Sequence, residues 1–257
     1  MNATPTPPPD APVAVDPMAP FRWLKLGWMD FRDNPGPGLL HGLALAAFGW
    51  LLMAVAHNQF WLLAGAFSGF MLVAPILTTG LYEVSRRHAQ GKKVGMADVF
   101  RLWATRDRRL VIFGLLLCLA GTGWVLTSAS LITTLSVERI AGPADFLRYV
   151  VLAPNSFLFT LWLMVGGLMA APVYASSVVA IPMLVDTHAN VLRAVQTSWR
   201  VVAVNPIAMG LWAMIIMCLV GVGLLTALIG LVLVIPIVAH ASWHAYQELT
   251  LPAGAES

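Results

Sequence analysis

Six histidines are the residues best suited to ligation in this 257-residue chain, and one pair of them, His240 and His244, falls four apart. On a helix such a pair shares a face and can chelate a metal, and histidines in membrane helices can ligate haem. The surrounding pattern supports neither strongly. No Glu occupies the HExxH position, and no Cys or Met stands at ligand spacing. Beside Trp243 and Tyr246 the two rings read first as interfacial anchors that hydrogen-bond lipid headgroups. Cys118 and Cys218 sit in long apolar runs and form no CxxC, no zinc spacing and no disulfide framework. There is no Gly-x-Ser-x-Gly, no Gly-rich phosphate loop and no segment with paired carboxylates. Catalysis has no visible address, so the chain does not read as an enzyme, and no cofactor or metal is assigned.

Whatever these residues do, they do it in lipid. Charged residues make up 11% of the chain and AVILMFWYC 59%, whereas a soluble domain carries about 25% charged residues. Four intervals contain no Asp, Glu, Lys or Arg: Asn34 to Tyr82, Leu110 to Val137, Tyr149 to Val185 and Val201 to Gln247. Crossing a hydrocarbon core about 30 Å thick takes about 20 apolar residues. The intervals therefore predict an all-α membrane protein of six spans, near Gly38 to Ala56, Trp61 to Tyr82, Leu110 to Leu131, Phe157 to Leu184, Pro206 to Leu225 and Ala227 to Tyr246. The break between the last two, around Gly221 to Thr226, is barely polar; one unbroken helix there would rise about 60 Å, so two spans are expected.

Thirteen of the 15 basic residues fall before the first span, between the second and third, or between the fourth and fifth; only Arg139 and Arg148 lie opposite. Lys and Arg collect in cytoplasmic loops. This predicts an inner-membrane protein with both termini cytoplasmic and one sizeable outer loop, from about Thr133 to Ser156. A net charge of +3 is too modest for nucleic acid. Residues 1–20 hold seven of 17 prolines and neither a positive n-region nor an apolar h-region, so they read as a disordered cytoplasmic tail. The first span then serves as insertion signal, residues 21–249 form one transmembrane domain, and 250–257 a short tail.

Each pair of spans is preceded by a stretch with Trp and basic residues, the composition of a helix in the headgroup region. In Phe21 to Arg32 the predicted apolar face is Leu24, Trp28 and Phe31; in Asn190 to Val202 it is Leu192, Val195, Trp199 and Val202. The middle copy, Ala97 to Ala104, is shorter and carries Val99, Phe100 and Trp103. Trp28 precedes Asn34-Pro35 by six residues, Trp199 precedes Asn205-Pro206 by six, and Trp103 precedes Arg109 by six. Asn-Pro should stop the surface helix and start the spanning one. The second span of each pair carries Pro75, Pro182 or Pro236 as a kink, and the three units suggest a threefold pseudo-repeat.

Polar residues recur four and eight positions after these prolines: Thr79 and Glu83, Asp186 and Asn190, His240 and His244. With His41 they predict a cytoplasm-facing polar vestibule ringed by His41, Glu83, Asp186, His240 and His244. Glu83 also reads as an ion-pair partner of Arg86 and Arg87, and the basic run from Arg86 to Arg109 as a contact for anionic headgroups. Gly65 and Gly69, Gly121 and Gly123, and Gly166 and Gly167 are candidates for close helix approach.

The phrases WLKLGWMDF (Trp23–Phe31), GLYEVSRR (Gly80–Arg87), IPMLVD (Ile181–Asp186) and HASWHAY (His240–Tyr246) resemble a family of predicted proteobacterial integral inner-membrane proteins, a domain of unknown function. The resemblance covers nearly all of residues 21 to 249 and implies a six-helix bacterial inner-membrane protein, without implying a chemistry. The reading that follows is a non-catalytic accessory or interaction protein, contacting lipids and a membrane-protein partner. The alternatives are a small-molecule or lipid permease using the vestibule, and haem or metal binding through His240 and His244.

Overall fold

The structure, a computed structural model, describes residues 11–56, 78–91, 107–153 and 157–250. In chain order they form α1 (Ala19–Asp33), α2 (Pro35–Ala56), α3 (Thr79–Ala89), α4 (Arg108–Leu135), α5 (Pro143–Phe146, continued by a wider π-type turn over Leu147–Val151), α6 (Leu158–Ser177), α7 (Ala180–Asp186), α8 (Val191–Val204), α9 (Pro206–Leu225) and α10 (Leu231–Leu249). No strand occurs among the described residues. Four stretches are long and apolar enough to cross a membrane: Pro35–Ala54, Arg108–Leu135, Leu158–Asp186 and Pro206–Leu225. They coincide with four of the expected spans. Of the second expected span only Thr78 to Tyr82 is described, and α3 carries it on to Ala89. Pro75, the Gly65 and Gly69 pair and the middle amphipathic stretch Ala97 to Ala104 lie outside the described residues.

Asn-Pro punctuates the chain as the residue types dictate. The Asn34 N–H caps α1 by donating to the Asp30 carbonyl (3.1 Å), and Pro35 opens α2. The Asn205 N–H does the same to Val201 (3.0 Å), and Pro206 opens α9. Asn205 has a second task. Its side-chain amide accepts from Val15 N–H and donates to Val13 O, both at 2.9 Å, while Val13 N–H donates to Leu249 O (2.9 Å). The proline-rich segment expected to be a disordered tail as far as residue 20 is thus docked at Val13 and Val15, because one amide side chain imitates a neighbouring strand.

The faces of α1 and α8 differ from expectation. Buried residues on α1 are Trp23, Gly27 and Phe31, with Trp28 47% exposed; on α8 they are Ala194, Thr197, Ser198 and Val201, with Leu192 and Trp199 exposed. Helices at a membrane surface have two apolar destinations, lipid and protein. In lipid large side chains gain nothing by leaving the bilayer, so small residues and glycine decide which face meets the protein.

α10 is the helix around which the rest assembles, and it is largely buried. Pro236 lies inside it and removes the partner of the Val232 carbonyl. Gly42 of α2 lies against that carbonyl oxygen, where an added Cβ would collide with it. Gly38 lies against Pro236 Cβ and the Phe31 ring (both 2.9 Å from a built Cβ), and Gly27 of α1 lies against Ala241 N (2.5 Å) and Ile237 O (2.6 Å). Three glycines on two helices thus set the approach to α10. Pro182 acts differently: it breaks the helix at Val178 and Val179 between α6 and α7, and the freed Val179 N–H donates to Ser198 Oγ (3.2 Å) of α8. Pro172, inside α6, is a further interruption not marked by the repeat.

α9 and α10 are separate helices, joined by Thr226 to Gly230. Ala227 and Leu228 both take left-handed backbone (φ 52° and 71°), and Trp50 Nε1 donates to the Ala227 carbonyl (2.7 Å) to hold the bend. A non-Gly residue there costs about 1 kcal/mol. Ala227 is exposed, so Ala227→Gly should raise stability by about 0.5–1 kcal/mol. Thermal unfolding in detergent measures this, and an unchanged or lower midpoint would count against strain at this bend.

Arg109, at the start of α4, gathers the far side. Its guanidinium donates to the carbonyls of Thr187 and Ala189 (both 2.7 Å) and Leu184 (3.1 Å), and pairs with Asp107 (2.6 Å), the N-cap of α4. The end of α7 is therefore closed by a cation from another helix, where the dipole favours positive charge. Arg109→Ala leaves three carbonyls and a carboxylate without their donor and should cost about 2–3 kcal/mol, whereas Arg109→Lys, with fewer and less directed donors, should recover part of it. Equal midpoints for wild type and Arg109→Ala would show that water replaces the guanidinium.

Candidate functional site

Asp30 of α1, Ser85 of α3 and the two histidines of α10 meet where these three helices touch. Ser85 Oγ donates to Asp30 Oδ2 (2.6 Å), and His244 Nε2 lies 2.9 Å from the same oxygen. Ser85 Oγ is also 2.7 Å from His240 Nδ1. The proton inventory settles the directions. A carboxylate only accepts, so His244 donates from Nε2 and Ser85 spends its one proton on Asp30; His240 then donates to Ser85 from Nδ1. Nε2 of a neutral His240 carries a bare lone pair, buried with no hydrogen-bond partner among the described residues. His41 and His88 lie within electrostatic reach of His240. Burial alone would raise the Asp30 carboxyl. The hydrogen bonds from His244 and Ser85 outweigh it and hold that carboxyl below its ordinary value.

Serine, histidine and aspartate together invite comparison with a hydrolytic triad, and the connectivity rules it out. In a triad the carboxylate orients the histidine and the histidine takes the serine proton. Here Asp30 holds the serine directly, and Ser85 is 1% exposed, out of reach of a substrate. His240 and His244 each give one ring nitrogen to this network, His240 Nδ1 to Ser85 and His244 Nε2 to Asp30, and no group of three or more His, Cys, Asp or Glu placed to hold a metal occurs among the described residues. The arrangement ties three helices together through one carboxylate.

The residues expected to ring a vestibule are placed in four separate settings. His240 and His244 join the network. His41, buried on α2, donates from Nδ1 to the Pro37 carbonyl (2.7 Å). Glu83 pairs with Arg86 (2.6 Å) and Arg87 (2.7 Å), as the spacing predicted, but it is 3% exposed rather than at the surface. Asp186 accepts from the Tyr246 hydroxyl (2.9 Å) on another face of α10. With His41, Glu83 and His240 all buried, these groups do not line an open mouth among the described residues. The reason is α1: packed against α10 instead of lying apart from it, it covers the histidines and supplies Asp30.

Sequence reasoning passed over Asp30, Ser85 and Glu248. Asp30 follows Trp23 by seven and Gly27 by three, so it shares their face rather than that of Leu24 and Trp28. Glu248, next to the end of α10, accepts from Trp23 Nε1 (2.8 Å) and pairs with Arg22, which closes α1 onto α10 at a second point.

No curated protein and no solved structure matches the chain. Residues 62–186, which include α3 through α7, match the model of a family described as "Predicted integral membrane protein (DUF2189)". Ser85, Glu83 and Asp186 fall inside that stretch, while Asp30, His240 and His244 are contributed from either side of it. Over those residues, a little under half of its length, the chain is similar to this family of predicted integral membrane proteins.

Proposed function

We propose that this integral membrane protein is a non-catalytic accessory or interaction protein of the bacterial inner membrane, with six spans in three pairs and both termini in the cytoplasm. One observation carries the reading: the polar groups that a substrate would need are engaged with one another. Asp30 is held by Ser85 and His244, Asp186 by Tyr246, and Glu83 by Arg86 and Arg87. Such pairing gives a rigid body in lipid, suited to presenting a surface to a neighbour. The outward Trp28 and Trp199, each 47% exposed beside basic residues, support headgroup contact at the cytoplasmic side. Purification in mild detergent at native expression should bring down a membrane-protein partner in fixed ratio. Repeated purification without one would sink the proposal.

A permease is the second reading, favoured by the broken helix at Pro182 and by Pro236 within α10, since transporters place their sites at interrupted helices. It requires proteoliposome flux that responds to Glu83→Gln or His240→Ala, and flux indifferent to both across candidate substrates removes it.

A further inference from the structure

Helix glycines in this protein are of two kinds. Gly27, Gly38 and Gly42 are jammed against α10, whereas a Cβ on Gly167 of α6, or on Gly210 or Gly221 of α9, would meet nothing within 4 Å. Those three border one half-open cavity of about 900 Å³ between α6 and α9, with Ile181 and Ala239 also in its lining. A helix-interior glycine costs about 1 kcal/mol relative to alanine, and here no contact within the described chain offsets it. Both walls belong to candidate spans. Leu168, Met214 and Met217, each more than half exposed, continue them outward. The cavity therefore opens from the surface that bilayer hydrocarbon already covers.

Its lining contains no charged residue and is graded along its length. Toward the α8–α9 junction it includes Thr78, Tyr82, Tyr174, Ser177 and Ser242; toward the other end of α9 it is Met217, Val220, Gly221 and Leu224. The hydroxyl protons of Tyr174, Ser177 and Ser242 are already engaged: Tyr174 donates to Met209 O, Ser177 to Val173 O and Ser242 to Val238 O, each at 2.8 Å. These oxygens have only lone pairs left to offer. We propose that the groove holds a neutral membrane lipid, its acyl chain along Met217 to Leu224 and a hydroxyl-bearing head donating to the oxygens of Tyr174, Ser177 and Ser242. A carboxylate or phosphate head would find no cation in that lining. This site is independent of the accessory role and of the Asp30 network.

The test uses the full chain in phosphatidylcholine nanodiscs containing dilute diacylglycerol with a diazirine in its acyl chain. On irradiation, labelling of the α6 and α9 groove peptides should saturate. Excess unlabelled diacylglycerol should lower it about fivefold or more. Gly210→Leu, which fills space that holds no other atom within 4 Å of a built Cβ, should lower it equally while the protein stays folded by circular dichroism. Labelling at Leu115 and Leu119, on the exposed face of α4, should simply follow probe concentration. A fatty-acid diazirine should label the groove no better than that face. Groove labelling that does not saturate, or that Gly210→Leu leaves unchanged, overturns the proposal. So does a disulfide from Gly210→Cys, in a Cys118→Ala and Cys218→Ala background, to a second copy or to a cysteine introduced in residues 57–77, because protein would then fill the groove.

Discussion

Gly42→Leu is expected to lower stability by about 3 kcal/mol or more, the largest effect of any single substitution considered. The added Cβ would land on the Val232 carbonyl oxygen, and what it meets is helix backbone, which cannot rotate aside. Relief would require α2 to move off α10, and with it Gly38 would leave Pro236. No hydrophobic penalty within lipid would push the two helices back, because the alternative contact is with acyl chains. Thermal unfolding in one detergent checks this, with Gly123→Ala as the control: Gly123 lies in α4 with nothing within 4 Å of a built Cβ, so alanine there should gain up to about 1 kcal/mol. If Gly42→Leu and Gly123→Ala unfold at the same midpoint, the tight α2–α10 approach is not what holds these helices.

Asp30→Ala should cost about 3 kcal/mol near neutral pH, because Ser85 and His244 lose their acceptor in a site mostly closed to water. Asp30→Asn keeps an acceptor for Ser85 and should cost about half as much. A double-mutant cycle with His244→Gln should give a coupling of about 1 kcal/mol or more, and a coupling near zero would mean that the two groups are not paired in solution. The pH dependence has a definite sign. Since the Asp30 carboxyl is held below its ordinary value in the folded protein, its contribution is present above that value, about 3.9, and is lost as pH falls through the lower folded one. The wild type should therefore lose more stability than Asp30→Asn on acidification from about pH 5 downward. Parallel curves for the two proteins would contradict the pairing.

Much of this fold was legible one residue at a time. The charge-free interval beginning at Leu110 became α4, and the break expected between Gly221 and Thr226 became the bend over Thr226 to Gly230. The two Asn-Pro steps end α1 and α8 where their chemistry requires, and the spacing of Glu83 with Arg86 and Arg87 produced its ion pairs. The site was less legible. His240 and His244 were visible as a pair, but Asp30 and Ser85, which give them their role, come from helices 55 residues apart in sequence. Arg109 looked like a topology residue and proved to close the end of α7. Gly27 and Gly42 carry no chemistry that a motif search would notice, though they set how closely α1 and α2 approach α10.

The division has a physical reason. Whether a segment can lie in hydrocarbon is a sum of transfer free energies along the chain, so composition and the position of 27 charges determined the class of protein and the location of its apolar helices. Which polar groups meet depends on how each helix is rotated and shifted against its neighbours, and in lipid no hydrophobic pattern specifies that. The tertiary structure decided it through a few close contacts: glycines against α10, an arginine on three carbonyls, and one carboxylate shared by a serine and a histidine.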